Sequence, residues 1–196
     1  MGVFGSDAEG KHVVSAVKDL SIDYSHSRFE TGENGCARVE IKEGDRIFLG
    51  SNEGGVTREH PIELTQEDRK YLTQFELIHM GLYSHVNHLL NELCDFPANV
   101  SYDFSDDFTE EEILRAIDKI DFGFFSVSQL TDQETKDFLK KYFSSRNEVL
   151  VATRGDKATI AYDGQEYYEV VPVLREPVDT MAACLLYTSD AADDLT

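Results

Sequence analysis

Pro177-Val178-Asp179-Thr180-Met181-Ala182-Ala183 sets an extended entry against what reads as the first turn of a helix. Asp179 or Thr180 can cap that turn, and the free backbone N–H groups behind such a cap are able to hold an anion. Thr153-Arg154-Gly155 either brings the backbone close to a phosphate or is a plain strand-to-turn glycine. Gly2-Val-Phe-Gly5-Ser-Asp7-Ala-Glu-Gly10 is a glycine-punctuated helix start. It lacks the preceding strand that a dinucleotide fingerprint requires. His79, His85 and His88 look at first like a metal cluster, with His85 and His88 three apart on a helix start. No acidic or thiol ligand is spaced with them, so they read as structural or substrate-facing histidines rather than zinc ligands. Asp106-Asp107 and Glu110-Glu111-Glu112 form a capping cluster at a helix N-terminus, not a catalytic pair. No Ser/His/Asp or Cys/His arrangement can be assembled.

The elements that must position these residues alternate from Thr65 onward. Thr65 to Phe75 reads as helix, Leu77-Ile-His-Met80 as a short apolar strand, and His85 to Leu93 as helix again. Asn99 to Asp103, Phe122 to Val127 and Glu148 to Ala152 read as strands. Thr109-Glu-Glu-Glu112 and Thr131-Asp-Gln-Glu134 are capping boxes that open two helices. The first should carry Ile113, Leu114, Ile117 and Ile120 on one face, and the second Phe138, Leu139 and Phe143. Strands alternating with helices of this length imply an α/β fold with a parallel sheet covered on both faces. Ligands of such sheets sit beyond the carboxyl ends of the strands. Those ends read His79-Met80-Gly81-Leu82-Tyr83, Asp103-Phe104-Ser105, Ser126-Val127-Ser128-Gln129 and Thr153-Arg154-Gly155.

The flanks differ. Ser6 to Leu20 has helical spacing, with Val13, Val14, Val17 and Leu20 on one face. Residues 36–50 alternate around Glu43-Gly44-Asp45, which marks an antiparallel hairpin standing off the main sheet as a flap. A second hairpin turns at Asp163-Gly164.

The chain of 196 residues is long enough for one core, and 41% hydrophobic content with 12 Phe and 9 Tyr argues for a globular fold. A net charge of -20 repels nucleic-acid phosphates and anionic lipid, so neither is expected as a partner. It does not exclude a nucleotide, since local N–H groups and a cation can hold phosphates within an acidic protein. No apolar run approaches a membrane span and no leader opens the chain. The three cysteines, Cys36, Cys94 and Cys184, have neither paired nor ligand spacing, which fits a reducing cytoplasm.

Taken together, these stretches resemble the PfkB (ribokinase-like) family of sugar kinases. Gly2 to Gly10 resembles that family's G-x-x-G-x-D-x-x-G segment, and Thr153-Arg-Gly155 its T-x-G nucleotide turn. The hairpin, about residues 36–56, stands where the family has a β-lid over the sugar. Asp179-Thr-Met-Ala-Ala183 matches the first five residues of D-T-x-[AG]-A-G-D, the family's most specific signature. The resemblance covers residues 1–183. Within the family, residues 37–55, Asp103-Phe-Ser-Asp-Asp-Phe108 and Ser126-x-x-Gln129 look most like fructoselysine 6-kinases.

The resemblance implies a ribokinase-like three-layer sandwich with a mostly parallel sheet and a small lid, here incomplete. It implies ATP-dependent transfer to a primary hydroxyl of a ketose-like sugar, fructoselysine first, in the cytoplasm. Ala182 and Ala183 would form an anion hole for the transferring phosphoryl group. Ser126, Gln129, Thr153 and Gly155 would face ATP, and Glu53, Gly54, Tyr83, His85 and Asp103 the sugar and lid. Mg2+ would bridge the phosphates, a monovalent cation would lie near Asp179, and a homodimer would form through the lid. The alternatives are another member of the family (ribokinase, fructokinase or deoxygluconate kinase) or a non-catalytic sugar-binding relative.

Three departures bear on that reading. The family's magnesium-linked N-x-x-E is Ser126-x-x-Gln129 here. The first strand and the family's G-G-x-x-N sugar-binding segment are expected ahead of Met1. The signature stops at Ala183, before its Gly and its catalytic Asp. From Cys184 onward, Cys-Leu-Leu-Tyr-Thr-Ser-Asp-Ala-Ala-Asp resembles the translation of a transposase sequencing adapter. Residues 184–196 are therefore expected to be non-native, and the chain a fragment truncated at both ends. Such a fragment is expected to be inactive, with an unfinished sheet edge prone to association.

Overall fold

Thr109 and Thr131 start two helices by the same chemistry. Each hydroxyl accepts the N–H three residues on, and the glutamate there, Glu112 or Glu134, accepts the threonine's own N–H. The computed structural model describes residues 1–42 and 45–173, which form two compact units. One comprises Met1–Tyr71 with Tyr83–Val86, the other Leu72–Leu82 with residues 87–173.

The first unit begins with β1 (Val3–Phe4), α1 (Ala8–Asp19) and β2 (Arg28–Phe29). β1 and β2 pair in parallel, Val3 opposite Arg28. Then come the hairpin strands β3 (Ala37–Lys42) and β4 (Asp45–Ser51), the short α2 (Val56–Glu59) and α3 (Gln66–Leu72). β3 and β4 form their own antiparallel two-stranded sheet, with a register shift between Arg38 and Val39. The hairpin thus stands apart from the other sheets, as its alternation implies; its turn at residues 43–44 lies outside the described residues. Val3, Val56, Ile62 and Leu64 are buried.

The second unit holds a six-stranded sheet in the order β10-β9-β8-β7-β6-β5. Its strands are β5 (Leu77–Gly81), β6 (Asn99–Asp103), β7 (Phe122–Ser126), β8 (Val149–Thr153), β9 (Thr159–Tyr162) and β10 (Tyr167–Val170). The helices are α4 (Leu90–Leu93), α5 (Glu110–Ala116) and α6 (Asp132–Tyr142). β5 through β8 run parallel and β9 and β10 antiparallel. In β6, β7 and β8 consecutive residues are buried, which requires a covering layer on each face. The ring of Phe125 stacks on Phe104 at 4.4 Å and takes the edges of Phe108 and Phe138 at 5.4 and 5.0 Å. Gly123 leaves room for Leu150, whose Cδ2 would lie 2.8 Å from any added Cβ. Gly164 turns the second hairpin at φ +88, a region that glycine enters without penalty.

Three local expectations need correction. His85 has φ 54, so no helix begins there; the chain makes 3-10 turns at Leu82–Ser84 and Asn87–Leu89, and only Leu90–Leu93 is α-helical. Leu114 is exposed while Ile113, Ile117 and Ile120 are buried, because one step along a helix turns a side chain off the stripe its neighbour occupies. In α1 only Gly10 is buried, and Val13 and Leu20 are exposed. The two-residue strand β1 lies inside the Gly2–Gly10 segment, between Gly2 and Gly5. No helix among the described residues is long and apolar enough to cross a membrane.

Candidate functional site

The parallel register lines up the carboxyl ends of β5 to β8. Gly81 lies opposite Asp103, Asp103 opposite Phe124, and Ser126 opposite Thr153. Asp103 is buried, and its carboxylate accepts the Ser105 N–H at 2.8 Å. Burial raises the Asp103 pKa from its ordinary value, against the Ser105 donation that lowers it. Ser105 carries φ 61, a left-handed kink that a non-glycine residue takes up at a cost. That kink turns the chain out of β6.

Beside it, two loops leave β7 and β8 together. The Val127 N–H donates to the Thr153 carbonyl at 2.9 Å, and the Ser126 N–H to the Ser105 carbonyl at 2.8 Å. Thr153 Oγ1 donates to the Phe125 carbonyl at 3.3 Å. Gly155 has φ +66, and a Cβ built on it meets no heavy atom within 4 Å. The turn therefore presents bare backbone to open space. Arg154 points the other way. It is 2% exposed, and its guanidinium donates from Nε to the Ala158 carbonyl at 2.8 Å and from Nη1 to Asp132 at 2.6 Å. Gln129 is exposed.

In the first unit, the glycines of the Gly2–Gly10 segment have steric reasons. A Cβ on Gly5 would fall 2.4 Å from the Asn34 N, and one on Gly10 2.2 Å from the Gly5 carbonyl oxygen. Asp7 ties the segment down, accepting from the Gly10 N–H at 2.8 Å and the Asn34 N–H at 2.9 Å. Those two donors, Gly10 first, hold its carboxyl below the ordinary pKa. The Asn34 side chain accepts the Gly5 N–H at 3.0 Å, and Asn52 Nδ2 donates to the Asn34 carbonyl at 2.8 Å. Asp7, Asn34 and Asn52 thus fasten the start of α1, the 32–36 bend and the end of the hairpin to one another.

Glu53 and Gly54 follow directly. Both have positive φ, 56 and 104. The Glu53 carboxylate pairs with Arg58, and a Cβ on Gly54 would lie 2.4 Å from His85 Nε2. The structure therefore brings Gly54 and His85 together and sets Glu53 beside Arg58, while Tyr83 is exposed. Asp103, Ser126, Thr153 and Gly155 gather at the sheet end of the other unit. Asp179, Ala182 and Ala183 lie outside the described residues. Sequence reasoning missed Asn34, Asn52, Arg58 and Asp132. The Asn-Gly of Asn34-Gly35 and the Asn52-Glu-Gly-Gly55 run signal tight turns, but not the bonds between them.

Magnesium usually takes one or two carboxylates besides phosphate oxygens. Ser126 and Gln129 offer neutral oxygens only. Among the described residues no group of three or more His, Cys, Asp or Glu could hold a metal ion. These residues do not form a magnesium cage.

The sequence matches the pfkB family carbohydrate kinase profile over residues 1–183. The chain belongs to the pfkB family of carbohydrate kinases. It is 29% identical over 184 residues to fructosamine kinase FrlD of Bacillus subtilis (strain 168), covering 93% of this chain and 64% of FrlD. It is 26% identical over 180 residues to fructoselysine 6-kinase of Escherichia coli (strain K12), covering 91% of this chain and 67% of that one. The chain thus spans about two thirds of the length of these pfkB relatives. In fold it is similar to the ribokinase of Arabidopsis thaliana complexed with ribose and ATP, with a TM-score of 0.79 at 15% identity over 100% of this chain and 68% of that one. The ribokinase of Giardia lamblia gives 0.77 at 14% identity, over 93% of this chain and 61% of its own. The fold is ribokinase-like, α/β with a mostly parallel sheet.

Proposed function

We propose that residues 1–183 are part of an ATP-dependent kinase that phosphorylates a primary hydroxyl of a ketose-like sugar, with fructoselysine as the first candidate. The observation that carries this reading is the pair of curated relatives, a fructosamine kinase and a fructoselysine 6-kinase, at 29% and 26% identity over nearly the whole chain.

The geometry supports a division of labour. The bare backbone of Gly155, with Thr153, Ser126 and Gln129, serves the nucleotide, because a phosphate can approach where a side chain would otherwise stand. On the family resemblance, Glu53, Gly54, Tyr83 and His85 of the first unit and Asp103 of the second are assigned to the sugar and lid. Gly54 must be glycine for two reasons, its φ of +104 and the His85 ring against it. Asp103, buried at the end of β6 with its carboxylate fixed by the Ser105 N–H, is assigned to hydrogen bonding with sugar hydroxyls. The hairpin closes to exclude water, so that the sugar and not water accepts the phosphoryl group. Ala182 and Ala183 supply the anion hole, and Asp179 the monovalent cation contact. Mg2+ would be held mainly by the oxygens of the nucleotide's phosphates. We also propose a cytoplasmic location and a homodimer through the lid, whose Ile41, Ile47, Phe48 and Leu49 are exposed.

Cys184 and Leu185 stand where the family signature places Gly and Asp, so the proposed catalytic base is missing and the chain as it stands is inert. Residues 184–196 are proposed to be foreign sequence. The test is to incubate ATP with fructoselysine, fructose, ribose or deoxygluconate and follow phosphorylation by mass. The protein read from the source gene is compared with the 196-residue chain. The gene product is expected to phosphorylate fructoselysine best and the chain none. Should Tyr83→Ala and Glu53→Ala forms of the gene product keep the same sugar preference and KM, the assignment of the sugar side is wrong.

A further inference from the structure

Arg154 occupies the middle of a turn proposed to meet phosphate, yet its guanidinium is turned inward. A buried arginine needs a carboxylate and filled donors. Here Nη1 reaches Asp132 at 2.6 Å and Nε the Ala158 carbonyl at 2.8 Å. Asp132 is the first residue of α6, directly after the 127–131 loop, and its carboxylate is 70% exposed. The Arg154 charge, through that hydrogen bond first, holds the Asp132 carboxyl below its ordinary pKa. A second cation of the same turn makes a parallel connection: Lys157 Nζ donates to the Ser128 carbonyl at 2.7 Å and to the Leu130 carbonyl at 3.4 Å. The Val127 N–H, bonded to the Thr153 carbonyl at 2.9 Å, closes the base of both loops. Two cations on one loop are therefore bonded to the other, and the buried guanidinium of Arg154 is not offered to solvent phosphate.

We propose that Arg154 and Asp132 are a positioning pair, with Lys157 as its second tie, which locks the 153–158 turn to the 126–131 loop so that both meet the nucleotide as one rigid piece. This rests on the nucleotide reading given above. Arg154 touches no nucleotide; it acts through the backbone it holds. The pair joins the strand-end turn to the start of α6, so an error in one loop becomes an error in both.

The test uses the protein read from the source gene with Arg154→Met, Arg154→Lys and Asp132→Asn, read by hydrogen exchange without nucleotide and by equilibrium dialysis with ATP and magnesium. Arg154→Met and Asp132→Asn should raise exchange in both loops together while β5 and β6 stay unchanged. ATP affinity should fall about tenfold, and Arg154→Lys should recover part of both effects. Asp132→Asn changes an exposed carboxylate, so it decides the matter even if Arg154→Met does not fold. Loosening of the 153–158 turn alone, or loosening of both loops with ATP affinity unchanged, overturns the proposal and leaves the nucleotide reading intact. Failure of the unmutated gene product to bind ATP refutes the nucleotide reading itself, and the proposal goes with it.

Discussion

Replacing Gly10 with alanine sets two effects of opposite sign against each other. In the interior of a helix, alanine is favoured over glycine by about 0.5–1 kcal/mol, and Gly10 lies in α1. Propensity therefore expects stabilisation. The structure expects the opposite, because the new Cβ would stand 2.2 Å from the Gly5 carbonyl oxygen and 2.7 Å from its carbon. Both are backbone atoms and cannot rotate away. Gly5 is itself fixed, since its N–H donates to Asn34 at 3.0 Å and the next residue's N–H donates to the Gly32 carbonyl at 3.0 Å. Relief must come from moving α1, which strains the Asp7 cap on Gly10. Overpacking costs about 1–3 kcal/mol and a weakened cap about 1 kcal/mol. After the propensity gain, the net loss is about 1–3 kcal/mol, or a Tm lower by about 2–4 °C per kcal/mol in a chain of this size. Urea denaturation followed by far-UV circular dichroism measures it. Gly2→Ala is the control, since its Cβ meets only Phe4 Cζ at 3.9 Å, and it should change stability by less than about 0.5 kcal/mol. A Gly10→Ala protein as stable as the parent, or more so, would refute the close-packing explanation of this glycine pattern.

Two further perturbations test the packing of each unit. Asp68 is 2% exposed and accepts from His26 Nδ1, Thr65 N and Thr65 Oγ1, each at 2.8 Å, and from Arg28. Burial opposes its ionisation, but those donors outweigh it and hold the carboxyl well below its ordinary pKa. A depressed folded pKa means stability present above the unfolded value, about 4, and lost as pH falls through the folded one. Asp68→Asn should cost about 2–4 kcal/mol at pH 7, since Arg28 keeps some solvent, and should flatten the decline in urea midpoint below about pH 4; an unchanged decline would show that Asp68 is not its source. Phe125→Ala removes the ring between Phe104, Phe108 and Phe138 and should cost about 3–5 kcal/mol by thermal melting; a loss under about 1 kcal/mol would mean that the cluster repacks freely.

What could be read from the sequence follows from how local each cause is. Both capping boxes were legible because a threonine and a glutamate three residues apart satisfy each other without outside help. The strands β5 to β8 were legible as apolar runs, and the hairpin stood apart as its alternation implied. The 85–93 helix was misread because its apolar spacing is helical while the left-handed backbone of His85 breaks it. Positive φ at a histidine leaves no mark on periodicity. The buried stripe of α1 was misread for another reason: burial is decided by what packs against a helix, not by its own sequence. At the candidate site, Thr153 and Gly155 were singled out, but the inward turn of Arg154 was not. A charged residue in a glycine turn reads as exposed until its partner, 22 residues earlier, is seen. The Asp7–Asn34–Asn52 ties were hidden likewise, since each joins positions far apart in the chain.

The claim on which the functional reading depends is that residues 1–183 come from a catalytic pfkB kinase. Sequencing the source DNA across Ala183 and Cys184 tests it most directly. Gly-Asp encoded after Ala183 is the expected result, completing the signature with its catalytic base. If Cys-Leu-Leu-Tyr is encoded there instead, the base is absent from the gene, and a sugar-binding protein without turnover takes the place of the kinase.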